Sequence, residues 1–252
     1  MTKKPGKHTP FFELVDAQAM AGCPICRLVY KATDRFLDSI LYEATLDPEV
    51  RETLKRSHGF CAEHVEVLRN RPGRALGIAL IYRDVLRRRL IETLESARYS
   101  DERSRLARWL GRGGRNAAVR QRLTPDVPCP ACAIKHKAES NYLDLLVAHL
   151  DDDKLHAAYS QGEGLCLEHF VGALERVADP ESFHRLVSPQ EARYRQMLAD
   201  LDEYIRKRDH RFTDAKFGEE GDVWLRVMNA VTGGAGMGLS ARWGGRRSND
   251  LI

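Results

Sequence analysis

Apolar residues recur every three to four positions along most of this chain, which is the period of an amphipathic helix. The pattern is clearest after Cys26, where the apolar positions are 28, 29, 32, 36, 37, 40 and 41. The same spacing predicts a helix over 10–20 and long helices over 74–99 and 189–210. No segment shows the convincing period-two alternation of a strand. The pattern therefore predicts an all-α fold.

Helix boundaries are marked by a small number of residues. Ser188, Pro189 and Glu191 match the N-cap, the first position and the third position of a capping box, which predicts that the last long helix begins at 189. Asp47-Pro48 and the acidic run 151–153 each interrupt a helical pattern at the same relative place.

That shared place reflects an internal repeat. The segment CPICRLVYKATDRFLD (23–38) matches CPACAIKHKAESNYLD (129–144) at seven of sixteen positions, and GFCAEH (59–64) matches GLCLEH (164–169) after a one-residue slip. The first CPxC is followed by its CxEH after 34 intervening residues, and the second after 33. Such a period predicts an internal duplication with two equivalent helical units.

Every cysteine of the protein falls in this repeated pattern. Each copy supplies three cysteines and one histidine, which is the ligand set of a closed tetrahedral Cys₃His zinc site. We therefore predict two sites, each joining a CPxC to the CxEH that follows it, so that two Zn²⁺ are bound per chain. The predicted metal ligands are Cys23, Cys26, Cys61 and His64 in the first copy and Cys129, Cys132, Cys166 and His169 in the second.

Two other chemistries fit the same residues. Iron–sulfur clusters are also held by thiolates, some with histidine in place of a cysteine, so two clusters at the Cys₃His sites are the alternative. A CPxC tetrapeptide also resembles a thiol–disulfide active site, but that chemistry usually follows a strand and does not need CxEH. Glu63 and Glu168, each next to a ligand histidine, either orient that imidazole or simply occupy the surface of a first helical turn.

The repeat also divides the chain. We predict an N-terminal helix with metal-binding repeat 1 over 1–99, an Arg/Gly-rich connector over 100–126 and metal-binding repeat 2 over 127–211. A C-terminal helix is expected within 212–232, and the Gly-rich segment 233–252 has the composition of a disordered tail.

The basic charge is concentrated in the middle of the chain. Residues 69–89 hold seven Arg against one Asp, and residues 101–122 hold seven Arg against two acidic residues, although the whole chain carries only +4. Such segments could neutralise phosphates, with Trp109 and Trp243 stacking on bases, or they could be solvated helix faces. The expected partner is therefore a nucleic acid or a protein.

The remaining features set the compartment and the class of activity. The longest apolar run, at 77–82, is too short to span a bilayer, and residues 1–22 lack the apolar core of a signal peptide. These features predict a cytoplasmic protein without a membrane segment. No nucleophile elbow, Walker loop or acid–base carboxylate pair is present, so the sequence favours a non-enzymatic role.

The doubled CPxC…GxCxEH arrangement resembles that of an uncharacterised family of bacterial proteins of unknown function. The resemblance covers residues 20–230 and implies that the two sites occur together, but it implies no activity. The function expected from the residues themselves is that of a zinc-binding helical interaction module. A redox, sensor or electron-transfer protein with two iron–sulfur clusters is the alternative.

Overall fold

The structure is a computed structural model that describes residues 6, 8–99, 115–209, 211 and 216–233. None of these residues lies in a strand, which confirms the all-α prediction. The helices of the first half are α1 (Thr9–Gln18), α2 (Pro24–Tyr42), α3 (Pro48–Arg56), α4 (Ala62–Arg69), α5 (Ala75–Asp84), a π-helical segment (Val85–Ile91) and α6 (Glu92–Tyr99).

The second half has a similar order of short and long helices. These helices are α7 (Arg115–Leu123), α8 (Pro130–Ala148), α9 (Asp153–Gln161), α10 (Leu167–Leu174), α11 (Pro180–Arg208), a 3₁₀ turn (Glu219–Asp222) and α12 (Val223–Thr232). The predicted tail, apart from Gly233, and residues 100–114 of the predicted connector lie outside the described residues. Among the described helices, none combines the length and the apolar character needed to cross a bilayer.

Aspartate side chains begin three of these helices, two of them at the breaks that the sequence marks. The carboxylate of Asp47 accepts hydrogen bonds from the backbone N–H groups of Glu49 and Val50, at 2.9 Å each. Asp152 and Asp179 cap α9 and α11 through one backbone N–H each. These caps satisfy donors that have no partner inside the helix, and they fix where the helix starts.

The predicted helix start at Ser188-Pro189 is wrong. Helix α11 runs without interruption from Pro180 to Arg208, with Pro189 in its interior. An interior proline removes one backbone hydrogen bond and costs about 3 kcal/mol. The neighbouring Leu186 and Gln190 are buried in the fold, and this packing holds the helix together across the proline.

The chain forms two compact units. Of the described residues, those before Ala32 and those after Lys135 belong to unit 1, and those from Ala32 to Lys135 belong to unit 2. The boundaries therefore fall inside α2 and α8, and not in the Arg/Gly-rich connector between the two sequence copies.

Each unit has its own apolar core. The largest fully buried side chains of the unit 1 core are Phe11, Leu14, Ile25, Leu146, Leu150, Leu155, Tyr159, Leu165 and Leu186. The buried side chains of the unit 2 core are Leu37, Ile40, Leu41, Leu54, Phe60, Leu68, Ile81, Cys129 and Ala131. Full burial of one such leucine or isoleucine contributes about 1.5–3 kcal/mol to folding, so each core is a substantial source of stability. Cysteines of the repeated motif line both cores.

Candidate metal centres

The structure brings the eight predicted ligand residues together in two groups of four. We call them site 1, which contains Cys23, Cys26, Cys166 and His169, and site 2, which contains Cys61, His64, Cys129 and Cys132. Within each group, the ligand atoms all lie within 4.8 Å of one another. Site 1 belongs to unit 1 and site 2 belongs to unit 2.

The predicted pairing within each copy is wrong. Each site joins the CPxC motif of one copy to the CxEH motif of the other. Because both copies offer the same ligand types, the sequence pattern fits either pairing equally well. Helices α2 and α8 decide the partner: each begins with its CPxC in one unit and ends in the other. The CPxC of each copy is therefore placed in a different unit from the CxEH that follows it.

In site 1, the imidazole of His169 faces all three sulfurs through Nδ1. This nitrogen lies 3.1 Å from Sγ of Cys166, 3.3 Å from Sγ of Cys26 and 3.5 Å from Sγ of Cys23. The sulfurs of Cys26 and Cys166 are 3.7 Å apart. Cys23, Cys166 and His169 are buried, and Cys26 is half-buried.

Site 2 repeats this arrangement. Nδ1 of His64 lies 3.0 Å from Sγ of Cys61, 3.6 Å from Sγ of Cys132 and 3.7 Å from Sγ of Cys129. The sulfurs of Cys61 and Cys132 are 3.6 Å apart. Both of these cysteines are half-buried, so site 2 is the more open of the two sites.

The donor geometry fits a single tetrahedral ion. Zinc bonds of about 2.3 Å to sulfur and about 2.0 Å to nitrogen place the ligand atoms roughly 3.5–3.8 Å apart at tetrahedral angles. The eight separations given above run from 3.0 to 3.7 Å, and the remaining pairs of ligand atoms in each site lie within 4.8 Å. Four ligands of the right type therefore lie close enough together to coordinate one ion.

Helix N-termini present all the sulfurs. Cys61 and Cys166 are the N-cap residues of α4 and α10, and their backbones are extended. Cys23 and Cys129 directly precede the prolines that begin α2 and α8. Free N–H groups and the partial positive charge at a helix N-terminus stabilise a nearby thiolate. The two motifs therefore place their thiolate ligands at helix N-termini, which stabilise the negative charge.

In unit 1, the buried amide of Gln190 holds the loop that carries Cys166. Its Oε1 accepts a hydrogen bond from the backbone N–H of Leu165 at 2.8 Å, and its Nε2 donates to the Leu165 carbonyl at 3.0 Å. Gly164 has a φ of +78°, and a Cβ there would lie 2.7 Å from the same Oε1. Glycine is thus required for both the backbone conformation and the close approach of Gln190.

Tyr82 makes the corresponding contact in unit 2. Its hydroxyl accepts a hydrogen bond from the backbone N–H of Phe60, the residue before Cys61, at 3.2 Å. Gly59 has a φ of +85°, and a Cβ there would lie 2.8 Å from Cε1 of Tyr82. In both units, a side chain from the long helical segment after the CxEH motif therefore fixes the backbone just before its cysteine.

In site 1, the neighbouring sulfurs shift the pKa values of Cys23 and Cys166 in opposite directions. Burial raises the pKa of Cys23 well above its usual range, and hydrogen bonds to Cys166 and Cys26 raise it further. Hydrogen bonds from Cys23 and Cys26 hold the pKa of Cys166 far below its usual range. Burial acts to lower the pKa of His169, but hydrogen bonds to Cys166 and Cys26 outweigh it and raise this pKa to about 10. Three adjacent thiolates would repel one another, so full ionisation of the set requires a cation.

Site 2 differs in the state of its histidine. Burial and the neighbouring sulfurs of Cys61 and Cys129 raise the pKa of Cys132 to about 12. Burial also acts to raise the pKa of Cys61. A hydrogen bond from the backbone N–H of His64 and hydrogen bonds with the sulfurs of Cys132 and Cys129 outweigh this effect, so the pKa of Cys61 is lowered. Burial lowers the pKa of His64, which favours the neutral imidazole that binds metals.

A carboxylate that contacts a ligand histidine was not among the predicted residues. Glu63 forms an ion pair with Lys135 at 2.8 Å, and Glu168 is exposed in the first turn of α10. Instead, Oε1 of Glu139 on α8 lies 3.4 Å from Nε2 of His169. The repeat could not reveal Glu139, because Thr33 occupies the matching position of the first copy.

Most arginines of 69–89 have acidic partners within unit 2. These ion pairs are Arg69 with Glu66, Arg71 with Asp34 and Asp38, Arg74 with Asp38, and Arg89 with Asp126. The other three arginines, Arg83, Arg87 and Arg88, are exposed and form no ion pair with the described part of the chain. Of the second Arg-rich segment, 101–122, only residues 115–122 are described, and Trp109 and Trp243 lie outside the described residues.

Comparison with known proteins places the chain in a family. Residues 9–237 match the family of unknown function DUF6062, and the chain belongs to this family. It is also 24% identical over 213 residues to an uncharacterized 23.9 kDa protein in the xynA 3'region of Caldicellulosiruptor sp. (strain Rt8B.4). That match covers 84% of this chain and 95% of the relative. No solved structure matches the chain. The resemblance inferred from the doubled cysteine motif is thereby confirmed.

Proposed function

We propose that this protein is a non-enzymatic helical scaffold that binds one Zn²⁺ at site 1 and one at site 2. The observation that carries the proposal is the complete Cys₃His set in each unit, with all four ligand atoms within 4.8 Å of one another. Zinc suits such a set, because thiolates and imidazoles are its preferred ligands in structural sites. Each ion would join the start of a CPxC helix to the start of a CxEH helix.

A structural role follows from the number of ligands. Four protein ligands fill the coordination sphere of zinc, so no position is left for a water molecule or a substrate. The binding energy of such an ion contributes directly to folding, because the unfolded chain does not present a preformed site. Catalysis at either site would require one of these ligands to leave.

Two iron–sulfur clusters are the competing assignment. A cluster binds its ligands through several iron atoms, so the ligand atoms are spread around a larger group than a single ion. The 4.8 Å limit on all ligand separations in both sites favours the single ion. The sulfur ligands alone do not distinguish a zinc ion from an iron–sulfur cluster, but the metal content of the purified protein does.

Metal analysis of the full chain tests this assignment. Protein purified anaerobically should be colourless and contain two zinc ions per chain, since zinc–thiolate centres do not absorb visible light. A Cys26→Ser variant, which lacks one ligand of site 1, is the matched control and should retain one ion in the presence of a competing chelator. Brown protein with broad absorption near ~400 nm, or iron and sulfide in the preparation, would replace the zinc assignment by the cluster assignment.

The compartment that we propose is the cytosol. All six cysteines are free thiols, and site 1 and site 2 need them in the reduced form. Reducing compartments keep thiols available for metal binding, whereas oxidising compartments convert them to disulfides.

As the partner of the scaffold, we propose a nucleic acid that contacts the three exposed arginines of unit 2. We call Arg83, Arg87 and Arg88 the arginine surface. Their spacing along the end of α5 and the π-helical segment places them within two helical turns. Arginines that form no ion pair can neutralise phosphates without first breaking one. A protein partner with an acidic surface is the competing outcome of the test.

Binding to a labelled DNA duplex at several salt concentrations tests the arginine surface. Replacing Arg83, Arg87 and Arg88 by glutamine should reduce the slope of log affinity against log salt by about three, one for each lost phosphate contact. The matched control replaces three other arginines by glutamine: Arg69, Arg195 and Arg206, which form ion pairs with glutamates on the surface. Equal losses in both variants would show that only net charge matters, and the absence of binding by the native chain would exclude this partner.

A further inference from the structure

We propose that Glu139 is a positioning residue for site 1, and that it makes site 1 hold its metal more firmly than site 2. This inference rests on the proposed function, because it concerns the same metal centres. It assigns a role to a residue that lies ten positions after Cys129 on α8 and that binds no metal itself.

The geometry around His169 carries the inference. One ring nitrogen, Nδ1, faces the three sulfurs of site 1, and the opposite nitrogen, Nε2, lies 3.4 Å from Oε1 of Glu139. His169 is only 6% exposed, so water has little access to its ring. The second oxygen of Glu139 lies 3.5 Å from Nδ1 of His136, a second cationic or hydrogen-bonding partner on the same helix. Glu139 therefore lies within ion-pair distance of Nε2, on the side of the ring from which a carboxylate accepts a hydrogen bond from the Nε2–H group.

A carboxylate in this position has a defined effect on a metal-bound histidine. When Nδ1 binds the ion, Nε2 must carry the proton, and a carboxylate that accepts a hydrogen bond from this N–H group fixes the tautomer and the orientation of the ring. It also makes Nδ1 a stronger donor to the metal. Loss of such a partner typically weakens metal binding by about 10–100-fold.

Site 2 lacks this support among the residues that the structure describes. Nε2 of His64 has no hydrogen-bond acceptor in the described chain, and the adjacent Glu63 is engaged with Lys135. In the aligned copies, Thr33 stands where Glu139 stands in the second copy.

Exposure of the sulfurs acts in the same direction. Site 2 has two half-buried cysteines, Cys61 and Cys132, whereas site 1 has one, Cys26. A chelator or a competing thiol therefore reaches the ligands of site 2 more easily. We expect the native protein to release its two ions at different rates, and site 2 to empty first.

Cadmium-113 and nitrogen-15 NMR of the full chain tests this inference. Correlations between each cadmium and the protons of its own ligands assign one resonance to site 1 and one to site 2. The loss of each resonance is then followed after addition of a chelator. Histidine nitrogen spectra report in parallel whether the Nε2–H group of His169 is hydrogen-bonded. If Glu139 only supported the fold, its replacement would leave this signal unchanged.

Three variants give distinguishable outcomes. Glu139→Ala should accelerate the loss of the site 1 resonance by about 10–100-fold, leave site 2 unchanged and shift the Nε2 proton of His169 upfield. Glu139→Gln keeps the shape and an acceptor oxygen, so it should fold normally and give a smaller acceleration. Glu168→Ala, the exposed control next to His169, should behave as the native chain.

The inference and the proposed function fail in different ways. If two ions bind but Glu139→Ala and Glu139→Gln release the site 1 ion at the native rate, then Glu139 does not position His169. If site 1 empties before site 2 in the native protein, the proposed order of the sites is wrong. A chain that binds no cadmium or zinc at all would instead overturn the proposed function.

Discussion

A chain carrying both Cys26→Ser and Cys166→Ser should still bind one metal ion, whereas a chain carrying Cys26→Ser and Cys61→Ser should bind none. The reason is the pairing of motifs across the two sequence copies. Cys26 and Cys166 are ligands of the same site, with sulfurs 3.7 Å apart. The second substitution therefore affects a site that the first has already disabled. Cys61 belongs to the other site.

Pairing within each copy would give the opposite counts. In that case Cys26 and Cys61 would share a site, and their double variant would keep one ion. Elemental analysis after dialysis against a chelator of intermediate strength measures the counts directly. The second pair of variants, Cys61→Ser with Cys132→Ser, is a matched control in unit 2 and should also retain one ion, since these two sulfurs are 3.6 Å apart.

Stability should follow the same logic. Each single serine variant should lose several kcal/mol of folding free energy in the unit that contains its site, because structural zinc binding contributes about 10–16 kcal/mol in small zinc-dependent domains. Two substitutions in one site should be strongly non-additive, and two substitutions in different sites should be close to additive. Additive losses for Cys26→Ser and Cys166→Ser would contradict a shared ion.

Complete removal of metal is expected to unfold both units. The native stability of a domain is about 5–15 kcal/mol, which is comparable to the binding energy of one structural zinc ion. Without the ions, the sulfurs of each site also remain crowded against one another at the helix N-termini. We therefore expect strong chelation to abolish the near-ultraviolet circular dichroism and to reduce the helical signal substantially.

Addition of zinc after chelation should restore the native spectrum, whereas addition of magnesium should not, because magnesium prefers oxygen ligands. Magnesium is therefore the control for a general effect of divalent cations. A chelated protein that keeps its helical signal and its melting temperature would show that the ions do not support the fold. The four-ligand geometry would then need another explanation, such as a regulatory or transport role for the metal.

Local features of the fold were accessible from sequence, because they depend on neighbouring residues. The apolar period predicts helix α2, and the structure has it over Pro24–Tyr42. Asp47-Pro48 marks the start of α3 through a cap that involves only the next three residues. The Ser188-Pro189 signal had the same local strength but was overridden, because burial of Leu186 and Gln190 favours a continuous helix.

The candidate sites were predictable in part for the same reason. The types and the spacing of their ligands are local, since CPxC and CxEH each begin a helix and direct their ligand atoms to one side. Glu139 and Gln190 could not be found in this way. Glu139 reaches His169 across 30 residues of sequence, and Gln190 reaches Leu165 across 25, and neither has an identical residue at the matching place of the other copy.

The sequence by itself determined that this protein is all-α and that its six cysteines and two of its histidines form two Cys₃His sets. Short-range physics was sufficient for these conclusions, because helix periodicity, caps and ligand spacing act within a few residues. Only the tertiary structure decided which motifs share a site. Helices α2 and α8 carry each CPxC away from the CxEH of its own copy, and identical ligand chemistry in both copies left the sequence no signal to choose between the two pairings.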